Sequence, residues 1–320
     1  MSTGTLLVGL GVMGKAYAAV LQSLQEPVIA IGRSEAGVRS FTSATGLEAK
    51  SASVETVLAR PGTTAQRAIV CVPVEDTASV VAALLDAGVR RILVEKPGAT
   101  TPSELDALRE RAGAAASSIF VAYNRRFYAS VAEARRRIEA EGGVDSFQFE
   151  FTERESDAAH AKFPSAVKQH WGLANSSHVI DLAFHLGGAP ARLSAEVAGA
   201  LPWHPGGARF AGSGMTEAGA LFSYGANWTS GGRWSVELMT QQSRLILRPL
   251  EQLAVQRRGS FEINPVALDN ALDLQFKPGL HRQTAAFLGG DSHDYLVTLD
   301  QQTDRARKIF GPITGEGPSV

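Results

Sequence analysis

The sequence predicts a doubly wound α/β domain with a parallel sheet, followed by an α+β domain with a large, mostly antiparallel open sheet. In the first third of the chain, short apolar segments alternate with helical segments, which is typical of a parallel sheet with helices on both faces. The first connection between them is rich in glycine. In the second half, segments of alternating apolar and polar residues indicate half-buried strands, and these outnumber the helices.

The first domain is predicted to extend over residues 1–122. Its helix at 103–111 has the clearest beginning, because Thr101 can cap it and Pro102 suits its first position. The predicted strands of this domain are 5–9, 28–31, 68–72, 91–94 and 119–122. The predicted helices are 14–21, 76–87 and 103–111.

The pattern changes after about Tyr123, and we expect residues 123–310 to form a second domain for substrate binding and oligomerisation. A basic, alanine-rich helix at 127–141 precedes a strand at 144–152 whose phenylalanines share one face. Those residues are Phe147, Phe149 and Phe151. Further strands are predicted at 193–197, 218–228, 234–240 and 243–250. The Gly- and Pro-rich residues 311–320 are predicted to form a flexible tail.

The composition excludes several classes of protein. The 320 residues carry a formal net charge of -1 and no basic stripe, so we expect no nucleic-acid partner. No run of about 18 apolar residues is present, so we expect no membrane span. Cys71 is the only cysteine, which excludes an intramolecular disulfide and favours a cytoplasmic location. We expect its thiol to pack in a strand rather than to act as a nucleophile.

Residues 9–14 read Gly-Leu-Gly-Val-Met-Gly, a GxGxxG pattern between a predicted strand and a predicted helix. In this context the first glycine permits a tight turn, the second lets the backbone approach a pyrophosphate, and the third lets the helix pack on the strand. The beginning of the helix offers free N–H groups and a positive dipole end to that anion. The sequence therefore predicts a dinucleotide site that begins with Gly9, Gly11, Val12, Met13 and Gly14.

The end of the second strand favours NADP over NAD. An NAD site usually carries Asp or Glu there, which binds the ribose 2′-hydroxyl. This chain has Gly32, Arg33 and Ser34 instead. Arg33 can pair with a 2′-phosphate and stack on the adenine, and Ser34 can donate a hydrogen bond to the phosphate. In the alternative interpretation, Arg33 is solvated and Glu35 binds the ribose.

Residues 94–97, Val-Glu-Lys-Pro, close the strand predicted at 91–94. Ligands of an open α/β sheet bind outside the carboxyl ends of its strands, so Lys96 is well placed to face a nicotinamide. Pro97 restricts Lys96 to extended geometry, and the bond between them is a candidate for the cis form. A protonated lysine there can polarise a hydroxyl or carbonyl group and stabilise alkoxide character as hydride leaves.

These motifs, in this order, resemble those of the Gfo/Idh/MocA family, which includes glucose–fructose oxidoreductase and inositol dehydrogenase. The resemblance rests on the glycine motif at 9–14, on Glu-Lys-Pro at 95–97 and on Tyr-Asn-Arg-Arg-Phe at 123–127. It covers essentially the whole chain and implies a Rossmann domain followed by an open-sheet domain. It also implies that Lys96 contacts the reacting substrate oxygen near the nicotinamide.

The resemblance implies that His178 is the catalytic histidine. An imidazole suits a general acid/base because its unperturbed pKa is about 6.5. Family members often carry an aspartate four residues before this histidine, where this chain has Ala174, which leaves open whether the family's two-residue proton relay operates here. Asn175 is a candidate ligand of substrate or ribose. Asp181 is a candidate to orient the His178 ring or to bind a substrate hydroxyl.

A polar and aromatic segment precedes His178 and contains Lys162, Lys168, His170 and Trp171. The corresponding stretch of the family helps to shape the substrate pocket. Trp171 could stack on a sugar face, and Lys168 or His170 could meet a carboxylate or phosphate of the substrate. In the alternative interpretation the segment is an ordered crossover loop with a buried tryptophan.

His178, Asp181 and His185 fall on one helix face, a spacing that resembles a metal site. A metal would need a further ligand and an open position, and no cluster of Cys and His residues supports one. We therefore predict no metal, and we expect His185 to pack on its helix face.

The sequence thus predicts an NAD(P)-dependent oxidoreductase that acts on CH–OH groups, with NADP preferred. Hydride would pass between the nicotinamide and a sugar, nucleotide-sugar or polyol, with Lys96 polarising the oxygen and His178 carrying the proton. Two alternatives remain, a non-redox enzyme that uses bound cofactor internally, such as an NAD-dependent glycosidase, and a cofactor-binding regulator without catalysis. An exposed sheet face favours a homodimer or homotetramer. The remaining expected contacts are Cys71, Pro73, Glu95 and Asn124 for the cofactor and Tyr123 for the substrate.

Overall fold

The chain forms two compact units, and neither is a single continuous segment. The structure, a computed structural model, describes residues 2–59, 63–153, 163–289 and 293–316. The first unit combines Met1–Tyr123 with Gln275–Asp304, and the second combines Asn124–Leu274 with Arg305–Val320. The sequence analysis expected one boundary near residue 122, and the structure differs because a later segment returns to the first unit.

The described residues form fifteen strands in two separate sheets. The strands are β1 (Ser2–Val8), β2 (Val28–Gly32), β3 (Ala49–Ser51), β4 (Thr63–Val70), β5 (Arg91–Glu95), β6 (Ile119–Ala122), β7 (Ser146–Glu150), β8 (Pro190–Ala198), β9 (Arg209–Thr216), β10 (Leu221–Asn227), β11 (Ser235–Met239), β12 (Ser243–Leu247), β13 (Ala254–Arg257), β14 (Ile263–Pro265) and β15 (Val297–Thr298).

The described α-helices are numbered in the same way. They are α1 (Val12–Ser23), α2 (Glu35–Thr45), α3 (Val54–Leu58), α4 (Val74–Asp86), α5 (Pro102–Ala112), α6 (Ala129–Ala140), α7 (Ser165–Gln169), α8 (Ser177–Gly187), α9 (Ala271–Gln275), α10 (Leu280–Leu288), α11 (Leu299–Arg305) and α12 (Gly311–Thr314). Two π-helical turns, Gly172–Ser176 and Ala306–Phe310, lead directly into α8 and α12.

The first unit has the predicted Rossmann sheet. Its strand order is β15-β6-β5-β4-β1-β2-β3, and β1 to β6 pair in parallel. The strand order reverses at β1, which lies between β2 and β4. The central strands each contain an apolar run, as parallel strands covered on both faces require, and Leu6, Ile69 and Leu93 in these runs are fully buried. This confirms the predicted fold of the first domain.

Helix α5 begins as its sequence predicts. The hydroxyl of Thr101 accepts the backbone N–H of Glu104, and the Glu104 carboxylate accepts the backbone N–H of Thr101 at 3.3 Å. Pro102 occupies the first turn, where the helix has no use for its missing N–H. This reciprocal capping satisfies two donors that the beginning of a helix would otherwise leave unpaired.

Residues 275–304 complete the first unit from the far end of the sequence. Strand β15 pairs antiparallel with β6 and extends the sheet at that edge. The guanidinium of Arg91 donates to the carbonyl of Phe287 at 2.6 and 3.0 Å, and Arg67 donates to the carbonyl of Leu288 at 3.0 Å. These bonds satisfy the end of α10, whose last carbonyls lack helical partners.

The second unit is built on the open sheet that the sequence predicts. Its order is β14-β13-β12-β11-β7-β10-β9-β8, and only the β7–β10 pair among the described strands of this sheet is parallel. Helix α8 packs against β7 and β11. Phe147 of β7 stacks on Phe222 and meets the edge of Phe184 from α8. Alternation along β7 thus buries its aromatic face beneath the helix, as expected.

The predicted flexible tail at 311–320 is corrected for the part that the structure describes. Residues Gly311–Thr314 form α12, and Ile313 and Thr314 are fully buried. The carboxylate of Glu316 is buried as well. It accepts the backbone N–H of Gly172 and lies 3.0 Å from Nε2 of His204, two residues of the same unit. A Gly- and Pro-rich sequence stays ordered here because its few side chains are anchored; residues 317–320 lie outside the described residues.

Candidate functional site

A cavity of about 490 Å³ lies in the first unit at the carboxyl ends of β1, β2 and β4. This is the crevice next to the reversal of strand order, where open α/β sheets bind their ligands. Its lining residues come from the last residues of β1 and β2, from the connections that follow β1 to β4, and from helices α2, α3 and α4. Predicted contacts among them are Gly9, Gly11, Arg33, Ser34, Cys71 and Pro73.

The glycine loop has room for a ligand only where the motif requires it. Gly9 has φ +108°, and a Cβ there would lie 2.5 Å from the carbonyl oxygen of Cys71. A Cβ on Gly14 would strike the carbonyl of Gly9, so the helix can approach the strand only with glycine. By contrast, nothing lies within 4 Å of a Cβ position on Gly11. That open space is what the close approach of a pyrophosphate needs.

Helix α1 begins at this loop without a side-chain cap. Its first residue, Val12, is 86% exposed, and Met13 is partly exposed. The N–H groups of the first turn lack helical partners, so they and the helix dipole favour an anion at this position. Val12, Met13 and Gly14 are not among the described residues that line the cavity, so only their backbone positions match the prediction.

Arg33 follows β2 directly and already forms an ion pair within the protein. Arg33 is largely exposed, and its Nη2 lies 2.9 Å from Oδ2 of Asp76 on α4. Ser34 caps α2 by accepting the N–H of Gly37 at 3.1 Å. Both Arg33 and Asp76 line the cavity, whereas Glu35 is not among the described lining residues. Sequence reasoning missed Asp76, because its approach to Arg33 depends on how α4 is placed.

Cys71 lies at the floor of the cavity. Its thiol donates to the carbonyl of Gly9 at 3.2 Å and contacts that of Val8 at 3.4 Å. Burial raises the pKa of the thiol, and the charge of Glu95 adds to the rise. A protonated, buried thiol has little nucleophilic character, in line with the packing role expected for it.

Glu95 is held within the first unit rather than in the cavity. Its Oε1 accepts the hydroxyl proton of Tyr17 at 2.8 Å, and it is not among the described residues that line the cavity. Burial raises its pKa, although the Tyr17 hydrogen bond and the charges of Lys96 and Lys277 act against the rise. Glu95 thus contacts α1, and its direct contact with the cofactor stays a prediction.

Lys96 follows at the carboxyl end of β5 and is half-buried. The Lys96–Pro97 peptide bond is cis, as the sequence analysis allowed. The Pro97 carbonyl accepts the side-chain amide of Gln302 at 3.0 Å, so the returning segment 275–304 fixes the turn after the lysine. Gln302 belongs to no recognisable motif, so the sequence analysis did not identify it as a residue that supports the site.

His178 lies in the second unit, in the first turn of α8, and is buried. Its ring centroid is 6.2 Å from that of Trp234, and the Arg125 guanidinium lies 4.9 Å above the same indole. Asn124 and Tyr123 are also buried, with Asn124 opening the turn that carries Arg125. Trp234 was missed because it appeared in the sequence only as the start of a strand.

Asn175 lies in the π-helical turn before α8. Its Nδ2 donates to Oε2 of Glu153 at 3.0 Å, and the hydroxyl of Ser176 donates to Oε1 of the same carboxylate at 2.7 Å. Glu153 is buried just after β7. This carboxylate was also missed, since a lone glutamate after a strand carries no motif.

Asp181 is engaged in a way that the sequence analysis did not expect. Arg126 donates to both of its oxygens, at 2.6 and 2.7 Å, and Arg305 donates to Oδ1 at 2.9 Å. Burial would raise the pKa of Asp181, but the charges of the two arginines hold it below its usual range. These ion pairs favour a structural role for Asp181, whose contact with substrate or with His178 stays a prediction.

His185 lies one turn further along α8. Burial, together with the nearby positive charge of Arg126, lowers its pKa to about 3. The ring is therefore neutral at physiological pH. Among the described residues there is no cluster of three or more His, Cys, Asp or Glu side chains suited to a metal ion.

Trp171 is buried in an aromatic cluster. Its ring meets the edges of Phe163 at 5.2 Å and Trp203 at 5.9 Å. His170 has Nδ1 3.8 Å from Oε2 of Glu316, and Lys168 is half-buried on α7. These contacts favour the ordered-crossover interpretation for Trp171 and His170 over direct substrate binding. Lys162 lies outside the described residues.

Residues 3–123 match the sequence model of an oxidoreductase family with an NAD-binding Rossmann fold, GFO_IDH_MocA. No curated protein sequence matches the chain. None of the helices in the described part of the chain is both long and apolar enough to cross a membrane.

Solved structures share the fold over nearly the full chain. Levoglucosan dehydrogenase in complex with NADH and levoglucosan is 18% identical, with a TM-score of 0.75, and the match covers 98% of this chain and 97% of that one. UDP-N-acetylglucosamine 3-dehydrogenase from Acidithiobacillus ferrooxidans is 15% identical, with a TM-score of 0.70 and coverage of 95% and 94%.

An NAD-binding oxidoreductase from Klebsiella pneumoniae is 14% identical, with a TM-score of 0.76 and coverage of 99% and 97%. At these identities the likeness establishes the fold. The glycine loop and the reversal of strand order at β1 agree with the match of residues 3–123 to the Gfo/Idh/MocA model of oxidoreductases with an NAD-binding Rossmann fold.

Proposed function

We propose that this protein is an NADP-preferring oxidoreductase that moves a hydride between the nicotinamide and a sugar, nucleotide sugar or polyol. The observation that carries the proposal is the cavity at the carboxyl ends of β1, β2 and β4, with open space at Gly11 and a cation at Arg33. The sugar-like substrate class is supported by the neighbours, one named for levoglucosan and one for UDP-N-acetylglucosamine.

Each part of the cavity suits one part of a dinucleotide. The uncapped start of α1 offers N–H groups to a pyrophosphate, and Gly11 leaves the space for it. Arg33 has the charge and planar shape to bind a 2′-phosphate, and Ser34 has a hydroxyl beside it. When bound, NADP supplies the hydride acceptor or donor of the reaction.

Lys96 is proposed to polarise the substrate oxygen. It follows β5 at the carboxyl edge of the sheet, and its geometry is restrained on the Pro97 side by the bond from Gln302. An ammonium there donates to a hydroxyl or carbonyl oxygen and stabilises negative charge that develops on it.

His178 is proposed to carry the proton, as general base for oxidation and general acid for reduction. Asn175, three residues earlier on the same helical segment, is proposed to bind a substrate hydroxyl. Its amide is oriented by Glu153, which accepts one of its N–H groups. Tyr123 and Lys168 remain candidates for substrate binding, and Asn124 remains a candidate for cofactor binding.

The test is a panel of sugars, nucleotide sugars and inositols, each with NADP and NAD, read by absorbance of the reduced nicotinamide. Lys96→Ala should abolish turnover with the best substrate while NADPH binding, followed by fluorescence, survives. Lys50→Ala is the matched control, because Lys50 is exposed on β3 of the same unit. Retained turnover in Lys96→Ala, or turnover of substrate without any net change in absorbance, would contradict the proposal.

We also propose that the open face of the second sheet is covered by another copy of the chain in a homodimer or homotetramer. Leu221 on β10 is 60% exposed on that face, and a second cavity of about 490 Å³ lies over β7, β10 and β11. Light scattering should give a mass of two or four chains, and Leu221→Arg should lower it. A monomeric wild-type protein would refute the assembly.

A further inference from the structure

The helical turn before His178 is held at both ends by buried carboxylates from distant parts of the chain. At its beginning, Glu316 accepts the backbone N–H of Gly172 at 2.5 Å and that of Leu173 at 3.3 Å. At its end, Glu153 accepts the side chains of Asn175 and Ser176. The two carboxylates therefore grip opposite ends of the turn Gly172–Ser176.

This turn needs external support. A π-helical turn is rare, occurs mostly as a single turn, and is frequent at functional sites. The first N–H groups of a helical segment have no helical acceptor, so a carboxylate there satisfies them and favours the dipole. Gly172 also has no room for a Cβ, which would strike Thr314 of α12. Helix α12 is therefore packed directly onto the start of the turn.

Glu316 is itself fixed as an anion. Its Oε1 lies 3.0 Å from Nε2 of His204, whose Nδ1 is 2.8 Å from the carbonyl of Gly207. Each ring nitrogen of His204 thus has an oxygen within hydrogen-bond distance, which holds the ring against Glu316. Burial would raise the pKa of Glu316, but the contacts with His170 and His204 and the N–H of Gly172 hold it below its ordinary value.

Glu153 binds the other end of the turn through Asn175 and Ser176. Asn175 is the first of the side chains in this segment that the proposed function uses. Oε2 of Glu153 accepts the N–H of the Asn175 amide at 3.0 Å, and this hydrogen bond leaves the amide oxygen directed away from Glu153. The segment 172–178 has no acidic residue of its own, and Ala174 occupies the place where family members often carry an aspartate. Glu153 is thus a carboxylate brought to this turn from another element.

We infer that Glu153 is a positioning residue, which sets the Asn175 amide and, through the turn Gly172–Ser176, the His178 ring for the substrate, while Glu316 fixes the opposite end. This inference rests on the proposed function of Asn175 and His178. We propose no contact of Glu153 or Glu316 with substrate or cofactor. Both carboxylates act through the turn Gly172–Ser176.

Glu153→Gln is the central variant. Glutamine keeps the size of the side chain but is neutral and can donate, so the Asn175 amide is free to turn over. We expect the KM for the best sugar substrate to rise about tenfold, the loss of one oriented hydrogen bond, while the dissociation constant for NADPH stays the same. Glu153→Asp keeps the charge and should recover part of the loss.

The matched control is Glu150→Gln, at the last residue of β7 and three residues before Glu153. Its carboxylate accepts the backbone N–H of Arg233 at 3.1 Å, a contact with the loop before β11 rather than with the turn Gly172–Ser176. KM should be unchanged in this variant. A purely structural role for Glu153 would lower the melting temperature and the fraction of active enzyme but leave the KM of the active molecules unaltered, and that result would overturn the inference.

Hydrogen exchange separates this inference from the proposed function, because it needs no substrate. Peptides that cover residues 172–178 should exchange faster in Glu153→Gln and in Glu316→Gln than in Glu150→Gln. If the wild-type protein turns over no sugar, the proposed function fails, and faster exchange still supports the grip on the turn. Unchanged exchange in both variants would overturn it whatever the activity.

Discussion

The guanidinium of Arg126 and the carboxylate of Asp181 form a buried, two-point ion pair, with N–O distances of 2.6 and 2.7 Å. Both side chains are almost fully buried, and Arg305 adds a third hydrogen bond. Asp181→Asn removes the negative charge that faces the buried guanidinium of Arg126 and the half-buried one of Arg305, so we expect a loss of about 3 kcal/mol in the free energy of unfolding. Urea denaturation measures this loss.

The same variant tests whether Asp181 contacts substrate. Because its oxygens are occupied by arginines, the KM of the folded variant should stay close to that of the wild type. A variant with wild-type stability and a strongly raised KM would return Asp181 to the substrate pocket.

The preference for NADP should depend on Arg33. Arg33→Ala removes the charged donor proposed for the 2′-phosphate, so the KM for NADP should rise about tenfold or more while that for NAD changes little. Steady-state kinetics with both cofactors measure this. Arg111→Ala is the control, because Arg111 also forms a surface ion pair with an aspartate, Asp86, in the same unit. An unchanged ratio between the cofactors would remove Arg33 from the site.

Asp76 should weaken the binding of NADP, whereas Arg33 should strengthen it. Its carboxylate lies 2.9 Å from the Arg33 guanidinium and would repel a phosphate placed there. Asp76→Asn frees Arg33 and removes that repulsion, so the KM for NADP should fall by a few-fold, an effect typical of an exposed charge pair. Kinetics at low and high salt check the assignment, since screening should reduce the difference. A raised KM would show that Asp76 itself holds the cofactor.

His178 should govern the pH dependence of turnover. Replacing it with glutamine removes the proposed acid/base, which typically contributes about 100- to 10,000-fold to the rate. The limb of the pH–rate profile that depends on this imidazole should disappear in His178→Gln. His281→Gln, in α10 of the first unit, is the matched control. A profile of wild-type shape at a reduced rate would remove His178 from proton transfer.

His185 should weaken the protein in mild acid. Its pKa in the folded state is lowered to about 3, so between that value and about 6.5 the unfolded chain binds more protons than the native protein. The free energy of unfolding therefore falls as the pH decreases through this window. His185→Gln should flatten that part of the curve, measured by urea denaturation at several pH values. A curve as steep as that of the wild type would contradict the prediction.

Local chemistry made much of the first unit predictable. The glycine motif, the capping of α5 by Thr101 and the cis bond at Lys96 all depend on residues that are neighbours in sequence. The apolar strands of the parallel sheet were recognisable for the same reason. In the second unit, the alternation of three phenylalanines identified β7 and the face that it buries.

Features that depend on distant residues escaped prediction. Strand β9 was missed because Gly212 and Gly214 interrupt its pattern, although their missing side chains leave room for Tyr224 and Phe222 of β10. The grip of Glu153 and Glu316 on one turn joins positions far apart in the chain. The ion pairs of Asp181 escaped prediction because its helical spacing to His178 was visible in the sequence, whereas the approach of the two arginines was not.

The return of residues 275–304 to the first unit matters for anyone who wishes to produce that unit alone. A fragment that stops at Tyr123 would lack β15, so β6 would become an edge strand. The backbone groups of Phe120 and Val121 that pair with β15 would then lose their partners. Such an edge is a template for pairing with another chain, so the fragment should aggregate during expression. Joining residues 1–123 to 275–304 by a short linker would restore the missing strand and keep the protein dispersed.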